Sequence, residues 1–463
     1  MMIRFFRHYV PSSILLLLLL EAMIFAGSIY VGADLRAYAG HAGSVGMLWP
    51  RAIVFSAVMV TLMTVFGLYD NWEWEGGVRG MLLRFAAAAT FGFILMALVF
   101  YLIPDFFLGR GVFVISFILA ISASTLFRLF IFRWANFDSL KRRILVLGTG
   151  SRAAKVDTLL DRRGIGNRLK VVGYLPMGGT HHFVEAAKIM QEEGSLLDIS
   201  NRHGISEIVI AIRDRRGGLP LEELLACKLG GIRITELSAL FEREAGQLQL
   251  ETLNAGWMIN SEGFQNGLGR DINKRIFDLC ASGVLLLVTL PVMAFAALLI
   301  ILENGFPVIY RQERVGQNDR VFTIYKFRSM RNDAEKGGVP KWAAQNDDRI
   351  TRIGRILRKL RIDELPQIFN VFKGDMSFVG PRPERPYFVD KLAEDIPYYK
   401  CRHTVKPGIT GWAQVRYAYG ATIEDSLEKL QYDLYYLKNH SMFLDFMILF
   451  QTVQVVLWGK GAR

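Results

Sequence analysis

Two adjacent carboxylates, Asp363 and Glu364, stand at the end of a run of arginines. Arg349, Arg352, Arg355, Arg358 and Arg361 recur every third residue, with no acid from 349 to 362 and with Ile350, Ile353, Ile356, Leu357 and Leu360 between them. Beside so much positive charge both carboxylates are expected to stay ionised. One can attack phosphorus while the other holds a hard cation such as Mg²⁺. Guanidinium forks suit phosphate oxygens, so the arginines can gather a phosphorylated substrate, anionic lipid or both. On a helix the series forms a cationic strip beside an apolar face, the pattern of a segment lying at a membrane interface. A plainer reading makes Asp363 and Glu364 the N-terminal acids of a helix with Pro366 in its first turn, so the neighbouring sequence has to decide.

The elements that must position this pair begin with membrane. The chain has 463 residues, 52% hydrophobic and 21% charged, and its mean hydropathy is +0.26. These values exclude a disordered or collagen-like chain and fit apolar blocks joined to ordinary globular sequence. The net charge of +12 calls for anionic partners: lipid head groups, nucleic acid or phosphorylated substrates. Three isolated cysteines, Cys227, Cys280 and Cys401, exclude a disulfide framework and a cysteine zinc site. Four blocks, at 11–31, 47–68, 81–102 and 111–132, are each long enough to cross ~30 Å of hydrocarbon. Glu21 lies near the middle of the first and is read as a helix-packing or interfacial carboxylate. Arg128, Arg133, Lys141, Arg142 and Arg143 make the strongest basic flank, which places the segment after 133, and with it the N-terminus, in the cytoplasm.

From Arg143 a strand, Ile144 to Leu147, runs into Gly148-Thr149-Gly150 and a helix, with further strands at Lys170 to Leu175 and Glu207 to Ile212. The order predicts a small parallel α/β sheet of Rossmann type over 141–250, followed by a linker at 251–269. Tyr174-Leu175-Pro176 stands where a ribose-binding acid closes the second strand of a dinucleotide site, so a scaffolding or regulatory sheet is expected instead of bound NAD. A fifth apolar block, 279–302, has Arg270, Lys274 and Arg275 before it and Arg311 and Arg314 after it, so both ends are expected on the cytoplasmic side. Pro291 at its midpoint removes a helix hydrogen bond. Two halves of about 18 Å dip into one leaflet, which predicts a re-entrant helix with Pro291 as its structural bend. The tail from Ser441 to Trp458 is read as an interface or core helix because Asp445 interrupts it.

Residues 270–463 hold 29 lysines and arginines against 21 acids, and four motifs follow one another there. They are Lys326-Phe327-Arg328-Ser329-Met330, Asp363-Glu364-Leu365-Pro366-Gln367, Gly374-Asp375-Met376-Ser377-Phe378-Val379-Gly380-Pro381-Arg382-Pro383, and Lys406-Pro407-Gly408-Ile409-Thr410-Gly411-Trp412-Ala413-Gln414. This segment resembles the catalytic domain of the bacterial polyprenyl-phosphate hexose-1-phosphate transferases, in their long form with an N-terminal transmembrane bundle. The resemblance implies a membrane protein in three parts: a four-helix region over 1–140, the Rossmann-like cytoplasmic domain, and a mainly α-helical monotopic catalytic domain over 270–463. It implies transfer of a sugar-1-phosphate from a UDP-sugar to undecaprenyl phosphate with release of UMP, at the cytoplasmic face of the bacterial inner membrane, in exopolysaccharide or O-antigen synthesis. Asp363 matches the nucleophile and Glu364 the carboxylate that binds Mg²⁺, for which Mn²⁺ can substitute. Lys326, Arg328, Arg358 and Arg382 fall where phosphate and nucleotide contacts are expected, and Asp375 is a supporting acid. After Gln414 the chain reads Val415-Arg416-Tyr417 where many members continue Val-Asn-Gly-Arg, so Arg416 is taken as the substitute arginine. The implied partners are the UDP-sugar, undecaprenyl phosphate and membrane lipid, with no nucleic acid and with room for a homo-oligomer. Glucose and galactose are both admitted as the sugar. Gly and Pro in 374–383 and 406–411 are expected to let backbone N–H groups approach phosphate.

Overall fold

The computed structural model describes the chain except residues 1, 6–7, 39–46, 70–76, 135–140, 163–164, 167, 178–182, 193, 213–218, 253–257, 259–260, 262, 265–266, 332–347, 418–419, 421 and 459–463. The chain divides into two compact units, one of residues 1–3 and 9–246, the other of 4–8 and 247–463.

In the first unit, apolar runs become α1 (Ser12–Tyr38), α2 (Leu48–Val65), α3 (Gly77–Leu102) and α4 (Arg110–Trp134). Each is long and apolar enough to cross a membrane, which fits a membrane protein. Phe25, Phe55, Met59 and Phe85 pack inside the bundle while many leucines and phenylalanines face outward, as lipid-facing helices require. Glu21 is fully buried there and completely satisfied. Arg128 grips it with Nε to Oε1 at 2.5 Å and Nη2 to Oε2 at 2.6 Å, Tyr69 donates at 2.6 Å and Ser124 at 2.8 Å. Arg128 therefore belongs to the interior of the bundle and is not part of the basic flank. Removing one partner strands a buried charge, so Glu21→Ala or Arg128→Ala is expected to cost about 3–5 kcal/mol. The double replacement Glu21→Gln with Arg128→Met should lose much less, measured as thermal unfolding of the detergent-solubilised chain.

Four strands follow: β1 (Arg142–Leu147), β2 (Leu169–Leu175), β3 (Glu207–Ile210) and β4 (Arg233–Glu236). All pair in parallel, in the order β2-β1-β3-β4. Alternation along β1 decides the layers. Ile144 and Val146 face a core with Val156, Leu159, Leu240 and Phe241, while Leu145 and Leu147 face Ile199, Leu224 and Cys227 on the other side. Helices thus cover both faces of the sheet. The fourth strand, Arg-Ile-Thr-Glu, is too short and polar to stand out in the sequence.

The second unit is built on a long helix, α5 (Leu268–Asn304), continuous through Pro291 and about 55 Å long. Its middle presents Val284, Leu287, Val288, Leu290, Phe295 and Leu298 to the outside. Near its start Arg275 donates to the carbonyls of Val371 (2.5 Å) and Phe372 (2.7 Å), and Asp278 accepts from the Ser377 hydroxyl and the Phe378 N–H, both at 3.0 Å. At its end Glu303 accepts the N–H groups of Arg352 and Ile353 at 3.0 and 3.1 Å, and Arg328 donates to the carbonyls of Asn304 and Gly305. Both ends are therefore fastened to one stretch of chain, 352–378. The apolar tail forms a helix, Met442–Trp458, whose Leu444 and Ile448 are buried. Asp445 is held there by Lys274 Nζ at 2.8 Å and the Tyr436 hydroxyl at 2.8 Å, the ligation that makes it a core helix. From the far end of the chain His8 enters the same core. It shares a 2.8 Å hydrogen bond with the Tyr435 hydroxyl and lies edge-on to Trp412 at 5.4 Å. Burial, aided by Arg416, pushes His8 down to about 3, so it is neutral.

Candidate active site

An antiparallel hairpin, Ile309–Val315 with Val321–Phe327, brings Lys326 to its last turn of pairing, opposite Tyr310. The arginine series forms a helix only over Arg352–Lys359, capped by Thr351, whose hydroxyl accepts the Gly354 N–H at 2.9 Å. Position 354 must be glycine because a Cβ there would lie 2.1 Å from the Ser329 carbonyl oxygen. Arg361 then takes a left-handed conformation (φ 58°) and turns the chain into a 3₁₀ segment, Ile362–Gln367, with Asp363 and Glu364 both buried. The strip is divided by this turn. Arg352 and Arg355 stay exposed, whereas Arg358 and Arg361 act electrostatically on Asp363.

Glu364 gathers the cations. Its Oε1 accepts from Arg382 Nη2 at 2.7 Å and Lys326 Nζ at 3.2 Å, with Arg361 at 3.8 Å. Burial opposes its charge, but Arg382, Lys326 and Arg361 outweigh it and hold Glu364 well below the usual carboxylate range. Burial also lowers Lys326, against the pull of Glu364. Asp363 goes the other way. Burial first, and then the Glu364 charge, push it up to about 6 despite Lys326 and Arg358, and its buried Oδ1 has no hydrogen-bond partner among the described residues. Both carboxylates are thus ionised at neutral pH, as expected, but burial separates them, with Asp363 raised and Glu364 lowered. If Asp363 must be ionised to act, kcat/KM is expected to fall as pH drops through about 6, measured at sub-saturating donor.

The structure thus brings together Asp363, Glu364, Lys326 and Arg382, with Arg358 within electrostatic reach. Arg328 instead closes the end of α5, and Arg416 lies over the Trp412 ring at 4.3 Å. Asp375 pairs with Lys373 at 3.5 Å. The glycine motifs also do something other than cradle phosphate. The Gly380 N–H donates to Thr410 O and the Gly408 N–H to Pro381 O, both at 2.9 Å, so the two motif segments are laced to each other. A Cβ at 408 would sit 2.1 Å from the Gly380 nitrogen, which is why this crossing needs glycine. The sequence reading did not assign Arg314 and Arg402 to the site, yet they fix the Arg382 segment through the carbonyls of Pro383 (3.3 Å) and Arg382 (2.8 Å).

Mg²⁺ takes one or two protein carboxylates and fills its octahedron with water and substrate phosphate. An orphaned buried Asp363 oxygen beside Glu364 fits that donor set. Among the described residues no group of three or more His, Cys, Asp or Glu stands ready to hold a metal by protein alone, so a cation here would be shared with phosphate.

Residues 269–459 match the family model of the bacterial sugar transferases. A UDP-N-acetylgalactosamine-undecaprenyl-phosphate N-acetylgalactosaminephosphotransferase of Aeromonas hydrophila is 41% identical over 264 residues, 55% of this chain and 60% of that relative. An undecaprenyl-phosphate glucose phosphotransferase of Komagataeibacter xylinus is 42% identical over 196 residues, 41% of this chain and 37% of that relative. A UDP-glucose:undecaprenyl-phosphate glucose-1-phosphate transferase of Caulobacter vibrioides is 41% identical over 194 residues, 42% of this chain and 72% of that relative. The chain belongs to the bacterial sugar transferase family. It spans less than two thirds of the Aeromonas and Komagataeibacter proteins, 60% and 37% of their lengths. The family-matched segment contains every residue singled out above for chemistry, from Lys326 to Arg416.

Proposed function

We propose that the chain transfers a hexose-1-phosphate from a UDP-sugar to undecaprenyl phosphate in two in-line displacements. An Asp363 carboxylate oxygen attacks the sugar-bearing phosphorus, the bond to the bridging oxygen breaks, and UMP leaves with that electron pair. A phosphate oxygen of the lipid then attacks the same phosphorus and frees Asp363, giving the sugar diphospholipid. The observation that carries this reading is Asp363 itself: a buried carboxylate with an unpartnered oxygen, beside a second carboxylate tied to two cations. Lys326, Arg358 and Arg382 offset the phosphate charge as it is redistributed. A bound Mg²⁺, placed by Glu364 with Asp363 beside it, would neutralise the diphosphate. The relatives' names carry two sugars, so the sugar is read from a panel: UDP-glucose, UDP-galactose and UDP-N-acetylgalactosamine, each with undecaprenyl phosphate and Mg²⁺. UMP release with one donor supports the transfer, and no release with any of a broader UDP-sugar set refutes it.

In the same reading α5 is re-entrant and the catalytic domain, 270–463, is cytoplasmic at the bacterial inner membrane. Two observations support this. Its two ends hold one continuous stretch, 352–378, which a helix crossing the bilayer would have to hold from opposite sides. His8, four residues before the first span, sits in the core of the domain that follows α5, which supports one membrane face for both. The sheet at 141–250 is read as a Rossmann-like module without nucleotide, since Tyr174 occupies the place of the ribose acid and donates to Asp157 at 2.8 Å. A single Asn318→Cys probe, with Cys227, Cys280 and Cys401 replaced, should resist an impermeant maleimide in intact cells and react after permeabilisation. Labelling from outside would overturn the re-entrant reading.

A further inference from the structure

Arg382 reaches Glu364 from a segment with few handles of its own. Pro381 and Pro383 flank it and have no N–H to donate, so the backbone there is held largely through its carbonyls. Each of three consecutive carbonyls is taken by a different part of the domain. Pro381 O accepts the Gly408 N–H at 2.9 Å, Arg382 O accepts Arg402 Nη2 at 2.8 Å, and Pro383 O accepts Arg314 Nη1 at 3.3 Å. The middle anchor differs from an ordinary hydrogen bond. Arg402 is 6% exposed, and its Nη2 lies 2.9 Å from Oδ2 of Asp433, which is 1% exposed. Its Nη1 donates to the Tyr399 hydroxyl at 2.7 Å. A carbonyl needs only a neutral donor, and a desolvated guanidinium is tolerable only with its counter-ion in place. The rigid fork hydrogen-bonds the phenol and the carbonyl at once and meets Asp433 as a counter-charge, which fixes the carbonyl more tightly than a flexible donor can.

We infer that Arg402, held by Asp433, is a positioning residue that sets where the Arg382 guanidinium meets Glu364 in the transfer reaction. The inference rests on the proposed function and adds two residues that never touch substrate. Loosening Arg402 should act only through Arg382. The groups facing the carboxylate pair would otherwise be unchanged: Lys326, Arg358 and Arg361.

The test is a double-mutant cycle on the full chain in nanodiscs, following UMP release. Arg402→Lys should lower kcat/KM about ten- to a hundredfold. Arg402→Lys combined with Arg382→Lys should be within about threefold of Arg382→Lys alone. A purely structural defect lowers the amount of active enzyme and so multiplies with the Arg382→Lys loss instead of vanishing into it. If Arg402→Lys does not accumulate in membranes, Asp433→Asn, of the same shape, takes its place in the cycle. Losses that multiply, or full activity in the single variant, overturn the inference while leaving the transfer intact. A wild-type chain silent towards every donor overturns the transfer and this inference with it.

Discussion

Asp363→Asn is expected to abolish UMP release, by about a thousandfold or more, while the chain folds and inserts as before. The amide is nearly isosteric but carries no charged oxygen to attack phosphorus, and a lost covalent route of this kind costs at least about 4 kcal/mol in the barrier. Stability should move the other way. A buried aspartate raised to about 6 is harder to ionise folded than unfolded, so above that pH its charge costs folding about 2–3 kcal/mol, and below the ordinary aspartate range it costs nothing. Asparagine removes that penalty, so the variant should melt no lower than wild type at neutral pH. Retention of more than about a tenth of wild-type turnover would rule out Asp363 as the nucleophile.

Glu364→Gln is expected to lower turnover at least about a hundredfold at ordinary Mg²⁺. Two cations hydrogen-bond to Glu364 and a third lies within 3.8 Å, so a neutral amide leaves Lys326, Arg382 and Arg361 facing Asp363 without a counter-charge. The same loss removes the second largest cause of the raised Asp363 pKa, so the acid limb should shift to lower pH. Divalent-cation dependence is the companion observable. Chelation with EDTA should silence the wild type, and Mg²⁺ or Mn²⁺ should restore it. Full activity in excess EDTA would show that no metal serves the reaction.

The parts legible in the sequence are those written in local pattern. Runs of about twenty apolar residues become α1 to α4, and the strand-glycine-helix order becomes the parallel sheet. Of the arginine series only Arg358 and Arg361 act on Asp363, while Lys326 and Arg382, which converge on Glu364, come from two of the other motifs. What stayed hidden depends on distance along the chain. Glu21 and Arg128 are 107 residues apart, and nothing local in either marks the other as its partner. Period-three spacing overstated the helix, since the left-handed turn at Arg361 is a tertiary choice that buries two carboxylates together. Glycine placement told of close approach without saying to what. Gly380 and Gly408 approach each other's strands, and only the pairing of 377–379 with 408–410 shows it. Arg402 was invisible for the same reason, as its partners come from 382, 399 and 433.

The covalent step can be observed without the lipid acceptor. Full-length chain in nanodiscs, with Mg²⁺ and the UDP-sugar that supports turnover, should release about one equivalent of UMP per enzyme and gain the mass of one sugar phosphate, mapped by peptide mass spectrometry to Asp363. Undecaprenyl phosphate added afterwards should discharge it, and Asp363→Asn should show neither burst nor adduct. UMP that appears only when undecaprenyl phosphate is present, with the protein mass unchanged, would contradict attack by Asp363 and leave a direct transfer between the two substrates.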